Sequence, residues 1–202
     1  ENHPTVRRVR KIAEDLLPHA PRFNARAKDW RWEVNVFRAP TINAFCMPGG
    51  KIAFFTGIIE QLKLSDDEIA MIMGHEIAHA LREHARERLA KSTLTNLGIT
   101  AVSILLGQTA GALAQAGGGL YSLKFSRNDE TEADLVGMEL AARAGYDPRS
   151  GVSLWNKMAA AAKGSPPQWL STHPSNKTRI DTIESHLKDV VPLYEAARAG
   201  RR

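Results

Sequence analysis

The sequence lacks the features that mark a disulfide-stabilised protein or a nucleic-acid-binding module. Cys46 is its only cysteine, so no disulfide can form within the chain, and cysteine use does not fix the redox compartment. The excess of positive charge is small, with 27 Lys and Arg against 22 Asp and Glu among 202 residues. No basic stripe alternates with aromatic residues that could stack on bases, so nucleic acid is not expected as a partner. The apolar content is that of an ordinary globular protein with a buried core.

The chain also begins without a methionine and without the pattern of a signal peptide. We therefore expect a processed or trimmed chain, from which any export signal or lipid anchor would have been removed. Basic residues cluster near both ends, where solvated helix faces are the simplest interpretation and an anionic membrane surface is the alternative. No internal repeat is present, and the length favours a single domain over residues 1–202.

Charge is absent from one long segment, residues 92–123. A span of about 20 apolar residues could cross a bilayer. Here Thr, Ser, Asn and Gln interrupt the apolar character, and several glycines weaken a helix. We predict a mobile or partly buried lid over this segment, and a membrane-contacting segment is the alternative.

The remaining patterns predict a mainly α-helical protein with a small three-stranded β-sheet, an α+β fold. Alternation of apolar and polar residues, with a Pro-Gly-Gly turn before the last strand, predicts strands over 32–37, 42–46 and 52–55. Apolar residues at helical spacing predict helices over 4–17, 65–81, 128–144, 149–162 and 175–188. Ser65 and Glu68 form the pattern of a capping box at the start of the second of these. Residues 164–174 are predicted to form a loop that contains prolines.

The strongest chemical pattern is His75-Glu76-Ile77-Ala78-His79. Residues four apart on a helix are separated by about 400° of rotation, so both imidazoles project from one face and can bind one zinc ion. Glu76 is rotated by about 100° from His75 and can serve as a general base for a water that the zinc activates. A surface helix with incidental His and Glu is the alternative, but the neighbouring residues are too apolar for full exposure.

Two histidines leave a catalytic zinc site short of one protein ligand. His84 is one option, but it lies five residues after His79 and leaves the ligand face. Glu130 and Asp134 are better placed, because they share a helix face with small residues that permit close packing, where carboxylates need a cation or strong donors. We predict Glu130 as the third ligand and Asp134 as the acceptor for a ligand imidazole. An ordinary pair of surface acids is the alternative, and Glu132 is predicted to face solvent.

His173 is a further candidate, although it is far from the other residues in the sequence. It precedes Pro174, which favours an extended backbone and directs the side chain off a rigid element. Two roles are open: His173 donates to the oxyanion during catalysis, or it occupies the open position of the zinc in a resting state. A histidine in a surface loop is the alternative. Arg179 is predicted to bind Asp134, another acid or the substrate backbone.

The chain resembles the gluzincin metallopeptidases of the HtpX, BepA and LoiP group, which also includes the CAAX prenyl proteases and mitochondrial quality-control relatives. Four segments carry the resemblance: Asn-Ala-Phe-Cys-Met-Pro-Gly-Gly at 43–50, the histidine motif at 75–79, Ser-Arg-Asn-Asp-Glu-Thr-Glu-Ala-Asp at 126–134, and Thr-His-Pro at 172–174 with Arg179-Ile180. The resemblance implies a zincin-like fold, one zinc ion per chain and Glu130 as a ligand. It also implies an edge strand along the cleft, with which an extended substrate could pair.

The resemblance further implies protein or peptide substrates, among them misfolded envelope proteins. No clear transmembrane helices flank the motif, unlike in the HtpX branch, which favours the bacterial periplasm or the periplasmic face of the outer membrane. The predicted function is therefore a zinc-dependent endopeptidase of envelope quality control. A chaperone-like protein that binds clients, with latched or secondary proteolysis, is the alternative. A purely structural zinc site gives Glu76 no role.

Overall fold

The computed structural model describes residues 3–88, 90–91, 125–163, 167–174 and 177–200, and the predicted lid at 92–123 lies outside them. Helices and strands follow in chain order: α1 Pro4–Leu16, 3₁₀ turns Leu17–Arg22 and Ala25–Asp29, β1 Glu33–Phe37, β2 Ala44–Met47, β3 Lys51–Phe55, α2 Thr56–Gln61, α3 Asp66–Leu81, α4 Arg127–Arg143, α5 Ser150–Ala161, α6 Gln168–Thr172 and α7 Lys177–Gly200. The predicted mainly helical fold with three strands is confirmed.

The three strands form one mixed sheet in the order β1-β3-β2. β3 pairs in parallel with β1 and antiparallel with β2, so that β2 lies at an edge. Gly49 and Gly50 make the turn from β2 to β3 with positive φ angles of 84° and 90°. At Gly50 a Cβ would lie 2.8 Å from the ring of Trp32, so this position requires glycine for space as well as for conformation.

Helix α3 forms the centre of the molecule. Every residue from Glu68 to Leu81 is buried, which is the pattern of a helix surrounded by other elements. Helix α4 packs along it at very short range. A Cβ at Gly74 would lie 2.5 Å from the carbonyl oxygen of Gly137, and a Cβ at Gly137 would lie 2.5 Å from the amide nitrogen of His75. The small residues predicted to permit close packing therefore bring the two backbones into direct contact.

Two sequence predictions were wrong in their bounds. Part of the predicted loop at 164–174 is the short helix α6. Trp169 holds this helix in place, because its side chain is buried and its backbone N–H donates to the carbonyl of Ile42. Helix α7 continues to Gly200 rather than ending at 188, and it passes through Pro192. Buried Val190 continues its packed face beyond the predicted end. Both differences arise from tertiary packing, which local sequence patterns do not indicate.

Within the described part of the chain, no helix combines the length and the apolar character needed to cross a membrane.

Candidate metal centre

Helix α3 places His75, Glu76 and His79 inside the protein, where each is 3% exposed. The predicted capping box begins this helix: the Ser65 hydroxyl accepts the N–H of Glu68 at 3.2 Å, and the Glu68 carboxylate accepts the N–H of Ser65 at 2.8 Å. A defined first turn fixes the rotation of the helix. The three side chains therefore have fixed positions relative to the neighbouring elements.

Helix α4 supplies the carboxylates. It begins with a second capping box, between Ser126 and Asp129, which the sequence interpretation missed. Glu130 is 2% exposed and Asp134 is 5% exposed, so they are not the surface pair that was the alternative. Glu132 lies on a different side of the helix, and its side chain is 39% exposed. Glu132 faces solvent in part, as predicted, and it also pairs with Arg82 and His84.

Four buried residues converge on one point: His75, His79, Glu130 and His173 each offer a ligand atom within 4.8 Å of the others. Nε2 of His75 lies 3.0 Å from Nε2 of His79 and 3.1 Å from Nδ1 of His173. The Glu130 carboxylate lies 3.4 Å from Nε2 of His79 and 3.0 Å from Nδ1 of His173. His173 is thus brought to the zinc motif across 94 residues, as the sequence predicts.

The donor set fits zinc. Tetrahedral zinc with bonds of about 2.1 Å separates its ligand atoms by about 3.4 Å. The separations of 3.0–3.6 Å among the ring nitrogens and carboxylate oxygens are close to that value. Three imidazoles and a carboxylate are also the nitrogen and oxygen donors that zinc takes in catalytic sites. His84 lies outside this group, as predicted, and it follows the end of α3 at Leu81.

Asp134 and Arg179 support the His75 side of the site. Oδ1 of Asp134 lies 3.0 Å from Nδ1 of His75, the nitrogen that faces away from the other ligand atoms. Arg179 donates to both oxygens of Asp134, at 2.7 and 2.6 Å, and to Glu130 at 2.5 Å. Its guanidinium lies over the ring of Trp155, 3.9 Å from the centroid. The predicted contact between Arg179 and Asp134 is therefore present.

Burial and hydrogen bonds shift the pKa values of the buried carboxylates in opposite directions. Burial raises the pKa of Asp134, but Arg179 and the hydrogen bond from His75 outweigh it, so the pKa lies below its ordinary value. Burial likewise raises the pKa of Glu130, and hydrogen bonds from His173 and His79 lower it well below the ordinary range. Burial is the main cause that holds the pKa of His79 well below its ordinary value. Ionised carboxylates and neutral imidazoles are the forms that bind zinc.

His84 and Trp169 complete the surroundings, and sequence reasoning assigned neither a role here. Nδ1 of His84 lies 2.9 Å from Nδ1 of His79, and its Nε2 lies 3.0 Å from Glu132. The indole N–H of Trp169 donates to Oε1 of Glu76 at 2.6 Å. The Trp169 ring also stacks on His173 at 4.8 Å. The burial of an indole with a polar partner is visible only in the folded chain.

Comparison with known proteins identifies the family. The model of Peptidase family M48 matches residues 5–187. This chain belongs to peptidase family M48. Mitochondrial metalloendopeptidase OMA1 of Schizosaccharomyces pombe is 36% identical over 192 residues, 93% of this chain and 54% of the relative. OMA1 of Arabidopsis thaliana is 37% identical over 174 residues, 84% of this chain and 35% of the relative.

A bacterial relative is also similar: the putative beta-barrel assembly-enhancing protease of Vibrio cholerae is 30% identical over 206 residues, 92% of this chain and 42% of that protein. The chain thus spans about a third to about half of the length of the curated relatives it matches. The predicted gluzincin family is confirmed, and the buried His and Glu donors can hold the zinc ion that the family uses. The bacterial periplasm is not established, since the OMA1 relatives are mitochondrial.

A cleft of about 420 Å³ opens beside the donor group of the M48 domain. Its polar wall includes Glu76, His79 and His173, and its other wall is lined by β2 and by aromatic residues. The apolar lining residues are Ala44, Phe45, Met47, Pro48, Phe55, Ala80, Ala85 and Phe125. Edge strand β2 thus borders the space in which a substrate would reach the donor group, as the family resemblance implies.

Proposed function

We propose that this chain is a zinc-dependent endopeptidase in which His75, His79 and Glu130 hold the metal and Glu76 is the general base. The observation that carries the proposal is the convergence of four buried donors next to Glu76 and at the wall of a cleft. Zinc bound there polarises a peptide carbonyl and lowers the pKa of water. The protein supplies the fixed donors, the base and the groups that orient the substrate.

Glu76 is prepared for proton transfer by its hydrogen bond to Trp169. The indole N–H occupies Oε1, and no other residue in the described ranges donates a hydrogen bond to Oε2. One oxygen is therefore fixed, and the other is free to accept a proton from water and return it to the leaving amine. This division gives the carboxylate one orientation without blocking its basic atom.

The test of this role is Glu76→Gln, which preserves the shape and the Trp169 contact but cannot accept the proton. We expect casein cleavage to fall by about 10²–10⁴-fold, with zinc content and melting temperature unchanged. Asp134 is not a suitable control, because it contacts His75. Glu60 is exposed and serves as the control, so Glu60→Gln should cleave casein at the parent rate. Near-parent turnover by Glu76→Gln would remove this residue from the mechanism.

The metal assignment has its own test. Zinc per chain, measured by elemental analysis, should be close to one for the parent and should fall sharply in His79→Ala and Glu130→Ala. Chelation should abolish casein cleavage, and added zinc should restore it. Full retention of zinc by Glu130→Ala would exclude Glu130 as the third ligand.

His173 has two candidate roles, and they predict opposite effects on cleavage when the side chain is removed. Its Nε2 lies 3.5 Å from Oε1 of Glu76, which suits a donor in the reaction space. Its Nδ1 lies 3.1 Å from Nε2 of His75 and 3.0 Å from Glu130, which suits a fourth ligand in a latched state. The latched state corresponds to a second candidate function, a chaperone-like protein that binds clients while proteolysis is held back.

Substituting His173 separates the two. His173→Ala should lower casein cleavage if the side chain donates to the oxyanion, and should raise it if the side chain latches the zinc. Client binding without cleavage by the parent, with cleavage released by His173→Ala, would favour the latched chaperone. Unchanged cleavage in His173→Ala would defeat both roles.

The cleft suggests the class of substrate. Among the described residues, β2 is an edge strand, so an extended segment can pair with its free side. The apolar lining of the cleft favours segments with large apolar side chains. Folded proteins bury such segments, so we propose that misfolded or misassembled proteins are cleaved. The Vibrio relative is named for β-barrel assembly, which supports an envelope substrate for this chain.

The same proposal includes a location in the bacterial periplasm or at the periplasmic face of the outer membrane, with peripheral membrane contact through the basic residues near the two ends of the chain. Residues 1–202 are proposed as one metallopeptidase domain. The location is tested by fractionating the source cell: recovery of the full-length protein with periplasm or outer membrane supports it. Recovery with mitochondria would contradict the bacterial location and would favour the mitochondrial location of the OMA1 relatives.

A further inference from the structure

His79 has a second ring nitrogen that the zinc site does not use. Its Nε2 faces the other donors, 3.0 Å from Nε2 of His75. Its Nδ1 lies 2.9 Å from Nδ1 of His84. His84 is only 3% exposed, and its own Nε2 lies 3.0 Å from Oε2 of Glu132. The three side chains form a continuous chain of contacts from the ligand group to the partly exposed face of α4.

The proton positions along this chain follow from the chemistry of a ligand imidazole. A neutral histidine that binds a metal through Nε2 carries its single proton on Nδ1. His79 must then donate, so Nδ1 of His84 must accept and be unprotonated. The remaining proton of a neutral His84 is on Nε2, where the carboxylate of Glu132 accepts it. Each hydrogen bond therefore has one permitted direction.

The surrounding contacts hold this arrangement in place. Arg82 pairs with Oε1 of Glu132, the oxygen that His84 does not contact. The rings of His79 and His84 are edge to face at 5.0 Å and 74°. Phe125 stacks on the ring of His79, with ring centroids 4.0 Å apart. The imidazole of His79 is thus confined in rotation as well as in its hydrogen bond.

We infer that His84 and Glu132 are positioning residues for the zinc ligand His79: they fix its ring orientation and keep its proton on Nδ1. The inference rests on the proposed zinc site. The role is that of the carboxylate that commonly supports a metal-binding histidine, except that a second imidazole stands between ligand and carboxylate. Sequence reasoning considered His84 only as a ligand and Glu132 only as a solvated acid.

Zinc affinity tests the relay directly, measured by competition with a chromophoric chelator. Loss of a residue that supports a metal ligand typically weakens metal binding by about 10–100-fold, and we expect His84→Leu to fall in that range. His84→Asn should recover most of the affinity, because its carboxamide oxygen replaces Nδ1 as the acceptor. Glu132→Leu should lose less than His84→Leu, since the hydrogen bond to His79 remains.

A matched control lies on the same helix. Glu139 of α4 pairs with Arg143 and has no contact with the relay, so Glu139→Leu should bind zinc as the parent does. The melting temperature of each metal-free variant shows whether a loss of affinity reflects a damaged fold. Equal losses in His84→Leu and His84→Asn would show that shape rather than an acceptor matters, and would overturn the inference.

Imidazole ¹⁵N spectra of the zinc-loaded parent give a second readout that needs no variant to fold. We expect His79 to carry its proton on Nδ1 and His84 to carry a single proton on Nε2. A His84 protonated on Nδ1, or on both nitrogens, would overturn the relay. A parent that binds no zinc through His79 would overturn the proposed function as well, whereas tight parent binding unchanged in His84→Leu would overturn the relay alone.

Discussion

The two histidines of helix α3 are supported in different ways. His75 meets a fully buried carboxylate, Asp134, which Arg179 holds with two hydrogen bonds. His79 meets the imidazole of His84, and the carboxylate of Glu132 lies one residue further out, where its side chain is 39% exposed. Both arrangements orient an imidazole. Only the first places full charges inside the protein.

This difference determines how much unfolding free energy is lost when a residue that supports His75 or His79 is removed. Buried charges are tolerated when they are paired, and the removal of one partner leaves the other without water or counter-charge. Charges at a partly exposed position regain water instead. The His75 support should therefore govern the stability of the metal-free fold, whereas the His79 support should govern zinc affinity with little effect on stability.

The largest effect is expected from Arg179→Leu. It leaves Asp134 and Glu130 buried without their guanidinium partner, which typically costs about 3–5 kcal/mol of unfolding free energy. Urea unfolding of the metal-free protein measures this, with Arg82→Leu as the corresponding variant on the other support. A loss below about 1 kcal/mol in Arg179→Leu would contradict the assigned difference between the supports.

Gly137→Ala tests both supports at once, because helix α4 carries both carboxylates. The added methyl would lie 2.5 Å from the amide nitrogen of His75, so the helices must separate. Overpacking of this kind costs up to about 3 kcal/mol. We also expect zinc affinity to fall, since Glu130 moves away from the histidines. Gly200→Ala, at a position with open space, is the control and should match the parent in both measurements.

Glu68 provides a reference carboxylate away from the metal. Burial raises its pKa, but hydrogen bonds from Lys157, the Ser65 N–H and Ser153 outweigh burial, so the pKa lies below the ordinary 4.5. A lowered pKa contributes stability above pH 4.5, which is lost as the pH falls through the folded value. Glu68→Gln should be about 2 kcal/mol less stable at pH 7, with the gap closing in acid. A gap that is constant from pH 7 to pH 3 would rule out this linkage.

The smallest effect concerns the ion pair between Arg82 and Glu132. Both side chains are about two-fifths exposed, at 43% and 39%, and exposed pairs contribute less than about 1 kcal/mol. Arg82→Leu should change unfolding free energy by no more than this in dilute buffer. In 1 M salt the difference should largely vanish, because charges are screened within about 3 Å. A salt-independent loss would indicate that Arg82 acts through packing.

Sequence alone predicted those parts of the site that local patterns encode. The Ser65–Glu68 capping box and the i, i+4 histidines fixed helix α3, and small residues beside Glu130 indicated a closely packed second helix. The contacts of Trp169 and His84 were missed. The first joins residues 93 apart, and the second depends on the turn after Leu81 that brings His84 back to His79 on α3. Such contacts depend on the packing of helices, which no spacing rule specifies.

The positions of the tryptophans allow the site to be followed by intrinsic fluorescence. The chain has four, and they form two close pairs: Trp30 with Trp32, and Trp155 with Trp169, each 5.3 Å apart. Only the second pair adjoins the donor group, since Trp169 contacts Glu76 and stacks on His173. With Trp30 and Trp32 replaced by phenylalanine, the tryptophan emission of the protein would come from this pair alone. The enzyme would then report metal loading and substrate entry by its own fluorescence, without an attached dye.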